Sequence, residues 1–133
     1  MKKPKLRRLL FLASPYSHKN WPVRDYRFES AREAVRWLIR SGYHVFSPIV
    51  FSHYLTDRYM PGGGLRWDWP GWYALSIDML RRSDALVVLR LDGWKESKGV
   101  KREIREAKRL KLPVVYLDLG DDVVDIRKKL GEP

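Results

Sequence analysis

Four short apolar runs, alternating with helical patterns, constrain the fold of this chain more than any other feature. The runs are "LRRLLFLAS" from Leu6, "YHVFSP" from Tyr43, "ALVVLRL" from Ala85 and "PVVYLDL" from Pro113. The third is almost continuously apolar, which is typical of a strand covered on both faces. Strand–helix alternation of this kind predicts a parallel sheet. We therefore predict one α/β domain over residues 1–133, flavodoxin- or Rossmann-like, with about four to five parallel strands and helices on both faces.

Helical periodicity fills most of the segments between these runs. In residues 23–42 a helix that ends at Gly42 is predicted to bury one face, made of Phe28, Ala31, Val35, Leu38 and Ile39. Further helices are predicted in "PGWYALSIDMLRRS", in the segment that begins "SKGVKREIREA", and in "DDVVDIRKKL". Residues 49–71, which contain "PGGG", are predicted to be a long irregular segment.

One carboxylate, Glu103, falls on the apolar stripe of its helix. At about 100° per residue, Val100, Ile104, Ala107 and Leu110 share a face, and Glu103 lies within it. The basic residues of this helix are predicted to point to solvent, and these are Lys101, Arg102, Arg105, Lys108 and Arg109. Glu106, at the edge of the stripe, is predicted to form a surface salt bridge. A buried carboxylate is costly unless it is paired or used, so Glu103 is a candidate functional residue.

Composition limits the cellular setting and the partners. The chain has no cysteine, no recognisable signal peptide and no run of about 20 apolar residues, so we expect a cytoplasmic protein without a membrane span. The net charge of +11 suits an anionic partner, a nucleotide or a nucleic acid, but also a merely solubilising surface. Zinc-finger, Walker and leucine-zipper patterns are absent, so a nucleic-acid partner is not favoured.

Ligands of parallel α/β sheets bind beyond the carboxyl ends of the strands, where the strand order reverses. The residues predicted to meet at that edge are 14–17, 47–53, 92–99 and 118–121. Ser97 can simply cap its helix, or it can form an anion site together with Lys98 and Gly99. Ser14 and Ser17 can bond local backbone around Pro15, or they can contact a sugar or phosphate.

Aromatic and titratable residues near this edge are further candidates. Trp72 belongs to "WDWPGWY", whose rings can be core residues or can stack on a nucleobase. His53 is either a hydrogen-bonded structural residue or a ligand contact. Asp84, directly before a strand, is predicted to bond backbone, whereas Asp78 is either a surface residue or the second carboxylate of a pair that cleaves a glycosidic bond. No ligand spacing supports a metal site, and we expect no cofactor.

Three segments together resemble the nucleoside 2-deoxyribosyltransferase-like superfamily. They are "LFLASPYS", "DMLRRSDALVVL" and "DGWKESKGVKREIREAKRLKLPVVYLD", and the likeness is greatest to a bacterial, archaeal and phage branch with the pattern SPY…SP…SH…GW..S.GV..E. The matching motifs spread over about residues 9–118, except for residues 54–70. The most specific piece is "SKGVKRE".

The resemblance implies roles for individual residues. It places the nucleophile that attacks the sugar C1′ at Glu103. At the position six residues earlier the transferases commonly carry Asp, whereas Ser97 resembles the phosphate loop of the 2′-deoxynucleoside 5′-monophosphate N-glycosidases. Two positions depart from the superfamily pattern: Ser76 stands where an acidic residue is usual, and Phe11 where Tyr is common. The proton-handling partner is therefore left open between Tyr16 and Asp78.

These arguments lead to a principal hypothesis and two alternatives. The principal hypothesis is a metal-free N-glycosidase or deoxyribosyltransferase acting on a (deoxy)nucleoside 5′-monophosphate, with Glu103 as nucleophile, Asp78 as acid/base and a hydrogen-bond donor that keeps Glu103 ionised. Its substrate contacts are Ser14, Tyr16, Ser17, His53, Trp72, Trp94, Ser97 and Gly99. The alternatives are a non-catalytic nucleotide-binding or sensing module and a basic nucleic-acid-binding domain. By analogy with the superfamily we expect a homodimer or larger assembly.

Overall fold

The computed structural model describes residues 6–55 and 69–133, apart from the side chain of Trp69. The "PGGG" segment and Trp67 lie outside the described residues. The strands are β1 (Leu9–Ala13), β2 (His44–Phe46), β3 (Ala85–Leu89) and β4 (Val114–Leu117). The helices are α1 (Trp21–Arg40), α2 (Pro48–Ser52), α3 (Trp69–Arg81), α4 (Lys98–Arg109) and α5 (Val123–Leu130), with a 3₁₀ turn at His53–Leu55.

The described strands form one parallel sheet in the order β2-β1-β3-β4. Leu10 of β1 pairs with Val45 of β2 on one side and with Ala85 of β3 on the other, and Leu86 pairs with Val114 of β4. The chain leaves β1 toward β2 and then returns across β1 to β3, so the direction of the connections reverses between β1 and β3. This confirms the predicted parallel α/β fold and places the expected ligand crevice beyond the carboxyl ends of β1 and β3.

Helices cover both faces of the sheet, as the continuously apolar strands predict. Successive strand side chains point to opposite faces, so Leu10 and Leu12 pack with α1 and α5 whereas Phe11 and Ala13 pack with α3 and α4. Every residue of β3 is buried. The two apolar layers hold the helices at fixed positions, and the start of α4 thereby lies at the edge where ligands are expected.

The helix and strand boundaries depart from the sequence predictions in places. Part of the predicted irregular segment is the short helix α2, because Pro48 suits the first turn and the Ser47 hydroxyl accepts a hydrogen bond from the Val50 N–H at 3.2 Å. The prediction that Ile39 is buried was wrong: its side chain is 54% exposed. Val35 and Leu38 already fill the space between α1 and the sheet, and Ile39 lies beyond that contact.

Several local signals in the sequence are confirmed. Asp84 bonds backbone as predicted, because its carboxylate accepts the Leu9 N–H at 2.7 Å and so joins the start of β1 to the start of β3. Gly42 follows α1 with a φ of +102°, a conformation that favours glycine at a helix end. No helix in the described part of the chain is long and apolar enough to cross a membrane.

Arg27 of α1 connects the loops that follow β1 and β3. Its guanidinium donates to the Ser17 carbonyl at 2.9 Å and to the Asp92 carbonyl at 3.1 Å. Gly93, next to Asp92, has a φ of +88°, and a Cβ there would lie 2.6 Å from Nη2 of Arg27. The positive φ favours glycine at position 93, and a side chain there would also displace the end of the Arg27 side chain.

We expect Gly93→Ala to destabilise the fold more than Gly120→Ala. Gly120 has a φ of +93° and no atom within 4 Å of an added Cβ, so both changes strain the backbone but only the first displaces Arg27. The excess loss of unfolding free energy should be roughly 1–2 kcal/mol, the net value of the two hydrogen bonds. Urea unfolding of both variants measures it, and equal losses would contradict the proposed role of Arg27.

Candidate functional site

A cavity of about 1140 Å³ opens at the carboxyl ends of β1 and β3. Its walls in the described part of the chain are formed by the end of β1, the loops that follow β1 and β3, the short helix α2, the beginning of α4 and one face of α3. The predicted site residues that line it are Ser14, Tyr16, Ser17, Trp72, Ser97, Gly99 and Glu103. The topology of the sheet thus brings together residues that lie far apart in the sequence.

Glu103 stands on the cavity wall and on the buried face of α4. It is 9% exposed, between the buried Val100 and Ala107, as the helical stripe predicts. Burial disfavours the charged form and raises the pKa of Glu103 to about 8. The predicted hydrogen-bond donor is not found among residues 6–55 and 69–133. At pH 7 roughly nine tenths of the carboxyl is therefore protonated.

The beginning of α4 forms the adjoining part of the wall. The Ser97 hydroxyl accepts the Val100 N–H at 3.2 Å, so the capping role is confirmed. Lys98 and Gly99 also line the cavity. The first N–H groups of a helix have no partner within the helix and carry the positive end of its dipole. This part of the wall therefore favours an anion.

Ser14 contributes a buried hydroxyl to the cavity wall. Directly after β1, it is 6% exposed, and its Oγ makes no hydrogen bond within the described residues. Nearly all buried polar groups in proteins are hydrogen-bonded, so an isolated hydroxyl on a cavity wall suits a ligand or a water molecule.

Tyr16 lines the cavity, and His53 lies behind it. The Tyr16 hydroxyl is 2.8 Å from Nδ1 of His53, whose ring stacks on Phe28 with the ring centres 3.9 Å apart. His53 is 2% exposed and does not itself line the cavity. The structure therefore places His53 behind the cavity wall, as a buried partner of Tyr16.

Two further predicted site residues lie away from the cavity. Asp78 is exposed and forms an ion pair with Arg82 at 3.3 Å, because its neighbour Ile77 faces the core and turns Asp78 outward. Ser76, at the position where the superfamily usually has an acidic residue, does line the cavity. Trp94 packs on Tyr116, with the ring centres 5.5 Å apart, inside the apolar layer next to α4.

Cationic side chains around the cavity were largely missed from the sequence. Arg102 was predicted to point to solvent, which was wrong: it borders the cavity, with its guanidinium 5.4 Å from the centre of the Tyr73 ring. Helical periodicity predicts only the direction of the Cα–Cβ bond, which for Arg102 is away from the buried face of α4. The long side chain then extends from Cβ to the neighbouring helix α3. Arg27 also lines the cavity, and no local signal marked it because its partners come from two distant loops.

The carboxylates around the cavity differ in their surroundings. Glu96 borders the cavity in the exposed loop before α4. Glu106 pairs with Arg109 at 2.5 Å and with Arg81 at 3.5 Å, as the predicted surface salt bridge requires, and these partners lower its pKa. Within residues 6–55 and 69–133 no three His, Asp or Glu side chains converge as metal ligands would. Glu103 is the buried carboxyl that a cavity ligand would meet.

We expect Glu103→Gln to stabilise the protein increasingly as the pH rises. Between the ordinary pKa of 4.5 and the raised value of about 8, the unfolded chain loses the Glu103 proton and the folded chain keeps it, so wild-type stability falls across this window. The stability difference between variant and wild type should grow by roughly 4 kcal/mol from pH 5 to pH 9.

Urea unfolding at both pH values measures this difference, and Glu106→Gln is the matched control on the same helix. The pKa of Glu106 is lowered by Arg109, so this carboxyl is ionised at both pH values and its variant should show a constant difference from wild type. A difference for Glu103→Gln that does not change with pH would contradict the burial of that carboxyl.

In structure, the chain is similar to a solved 2-deoxyribosyltransferase from the psychrotolerant bacterium Bacillus psychrosaccharolyticus, with a TM-score of 0.59. The two chains are 18% identical, and the match covers 85% of this chain and 74% of that one. At this identity the likeness shows the fold alone, which agrees with the fold that the sequence resemblance implies.

No curated protein matches the sequence. Residues 8–119 match a family described as a domain of unknown function, DUF1937. This range extends from β1 to just beyond β4 and includes the cavity-lining residues named above. The chain therefore belongs to the DUF1937 family.

Proposed function

We propose that this protein cleaves the N-glycosidic bond of a (deoxy)nucleoside 5′-monophosphate and that Glu103 is the nucleophile. The observation that carries the proposal is the buried carboxyl of Glu103 on the wall of the cavity, next to the capped beginning of α4. The fold around this cavity is similar to that of a 2-deoxyribosyltransferase. The base is released to water or to an acceptor base.

The beginning of α4 is suited to the 5′-phosphate. The N–H groups that follow Ser97, together with Lys98, supply hydrogen-bond donors and positive charge. Arg27 and Arg102 add positive charge around the same cavity, and the Ser14 hydroxyl can donate a hydrogen bond. A monoanionic or dianionic phosphate would thereby meet both hydrogen-bond donors and positive charge on this side of the cavity.

The spacing within α4 supports the same assignment. Six residues separate Ser97 from Glu103, a rise of about 9 Å along the helix. Because helix side chains tilt toward the N-terminus, the Glu103 carboxyl lies closer to the helix start than its Cα does. A phosphate held at the helix start would be separated from this carboxyl by about the width of one sugar ring, which brings C1′ toward Glu103.

The chemistry follows from a carboxylate placed beside C1′. An oxygen of Glu103 forms a bond to C1′ while the C1′–N bond breaks, and the base departs with a proton. Water or another base then attacks C1′ and releases the carboxylate. Tyr16, Trp72 and Tyr73 line the cavity and offer ring faces on which a nucleobase can stack.

A non-catalytic nucleotide-binding module is the second candidate, and two observations favour it. The pKa of Glu103 near 8 leaves little ionised nucleophile at neutral pH, and the α3 residues that line the cavity, Trp72, Tyr73 and Ser76, include no carboxylate. Such a module would bind 5′-mononucleotides at α4 without releasing base.

We expect the purified protein to release free base from at least one 2′-deoxynucleoside 5′-monophosphate, and more slowly from the corresponding nucleoside. Glu103→Gln removes the nucleophile and should lower the rate roughly 10³-fold or more. Glu106→Gln, the same change on the outer side of α4, should retain the wild-type rate. Chromatographic measurement of the base is the assay, and equal rates for Glu103→Gln and wild type would rule out the nucleophile.

The rate should also rise with pH. Only the ionised carboxylate attacks C1′, and burial raises the pKa of Glu103 to about 8, so ionisation increases from pH 7 to pH 9.5. Over this range the substrate phosphate is almost fully ionised, because its second pKa is about 6. On 4-nitrophenyl 2-deoxyribofuranoside 5-phosphate, whose leaving group departs without a proton, we expect kcat/KM to rise roughly tenfold and then level off. A kcat/KM that stays flat or falls would contradict an attack by ionised Glu103.

A further inference from the structure

Three polar side chains form a row that leads from the cavity to the outside of α1. The Tyr16 hydroxyl lies 2.8 Å from Nδ1 of His53, and Nε2 of His53 lies 3.7 Å from Oδ1 of Asp25. Tyr16 lines the cavity, His53 is buried, and the Asp25 side chain is 43% exposed. The first contact has the length of a hydrogen bond, whereas the second, at 3.7 Å, is a contact between a ring nitrogen and a carboxylate.

The surroundings of His53 hold its ring in one orientation. Its imidazole stacks on Phe28 at an interplanar angle of 8°, and Tyr54 packs edge-on with the ring centres 4.9 Å apart. A buried imidazole is stable when both nitrogens have polar partners, and here a phenol faces one nitrogen and a carboxylate the other. The hydrogen bond between Tyr16 and His53 can form whether its proton is on the phenol oxygen or on Nδ1. A proton can therefore pass between these two atoms without a change in their positions.

Cleavage of an N-glycosidic bond needs a side chain in the cavity that can donate a proton and later accept one. The departing base must receive a proton, and water that later attacks C1′ must lose one. Asp78 points away from the cavity, and the aliphatic hydroxyl of Ser76 is too weak an acid to protonate a departing base. Glu96 borders the cavity but is exposed, and the cavity-lining His18 accepts the Asn20 N–H at Nδ1 in its own loop. Tyr16 is half-buried and is fixed by a titratable partner on a different element.

We propose that Tyr16 is the proton-transferring residue of the cavity, with His53 as the group that exchanges protons with it and Asp25 as a positioning residue. This inference rests on the proposed function and names its missing acid/base. It also gives a role to a histidine that lies buried behind the cavity wall.

The proposed cycle balances in both steps. When the Glu103 carboxylate bonds to C1′, the electron pair of the C1′–N bond goes to the base, which takes the Tyr16 proton, and Tyr16 regains a proton from the His53 imidazolium. Water then bonds to C1′, the C1′–O bond to Glu103 breaks, and its electron pair returns to the carboxylate. The proton from water passes to Tyr16, whose own proton moves to Nδ1 of His53, and the site is restored.

Tyr16→Phe tests the proposal, because it removes the hydroxyl and keeps the ring. On a natural deoxynucleotide we expect kcat to fall roughly 10²- to 10⁴-fold, the usual effect of losing a general acid, with KM nearly unchanged. His53→Asn should lower kcat to a similar extent, and the double variant should be no slower than either single variant. Asp25→Asn, at a partly exposed position, should cause a smaller loss of kcat. Tyr54→Phe, the same change on another tyrosine that contacts His53, should retain wild-type kcat.

A second substrate separates proton transfer from a structural role. In 4-nitrophenyl 2-deoxyribofuranoside 5-phosphate the nitrophenolate leaves without a proton. Tyr16→Phe should therefore release the first equivalent at nearly the wild-type rate and then turn over slowly, because activation of water still requires the hydroxyl. Equal losses in the first turnover on both substrates would show that Tyr16 only shapes the cavity. A natural-substrate kcat within twofold of wild type, or a loss in Glu96→Gln instead of Tyr16→Phe, would also overturn the proposal.

The outcomes distinguish this inference from the proposed function. If Glu103→Gln abolishes base release and Tyr16→Phe does not reduce it, only the role of Tyr16 fails. If wild-type protein releases no base, or Glu103→Gln releases it at the wild-type rate, the proposed function fails and the role of Tyr16 with it.

Discussion

The burial of the Glu103 carboxyl is the constraint on which the rest of the site depends. Val100 and Ala107 fix α4 against the sheet, and the residue between them on the same face is necessarily buried. Burial opposes ionisation of this carboxyl and raises its pKa to about 8, so keeping Glu103 buried costs folding free energy above pH 4.5. An apolar side chain at that position would avoid this cost and stabilise the fold. Functional sites typically contain a group whose burial lowers the stability of the fold and shifts its own pKa, because that group takes part in chemistry or binding.

The sheet topology explains why the other site residues surround this carboxyl. Reversal of the connections between β1 and β3 leaves a crevice, and the loops that follow these strands form its rims. Arg27 joins the two loops through the carbonyls of Ser17 and Asp92, so the rim is held by an interaction that is independent of any ligand. Lys98 and Arg102 add positive charge to this region, which suits the anionic ligand proposed above.

The sequence predicted those parts of the molecule that depend on periodicity, and not those that depend on contacts between distant elements. Apolar runs identified all four described strands, and the stripe on α4 identified Glu103, because burial follows directly from a repeat of 2 or 3.6 residues. Arg102 was misassigned because its long side chain crosses to Tyr73 on α3. The pairing of Tyr16 with His53 was not foreseen, since 37 residues separate them and only the folded chain brings them together.

Mass spectrometry of the protein after acid quenching during turnover tests the central claim most directly. If Glu103 attacks C1′, a deoxynucleotide substrate should leave one deoxyribose 5-phosphate attached to the peptide that contains Glu103, and Glu103→Gln should abolish the adduct. Base release without any adduct on that peptide, or an adduct on another side chain, would contradict the assignment of Glu103 as the nucleophile.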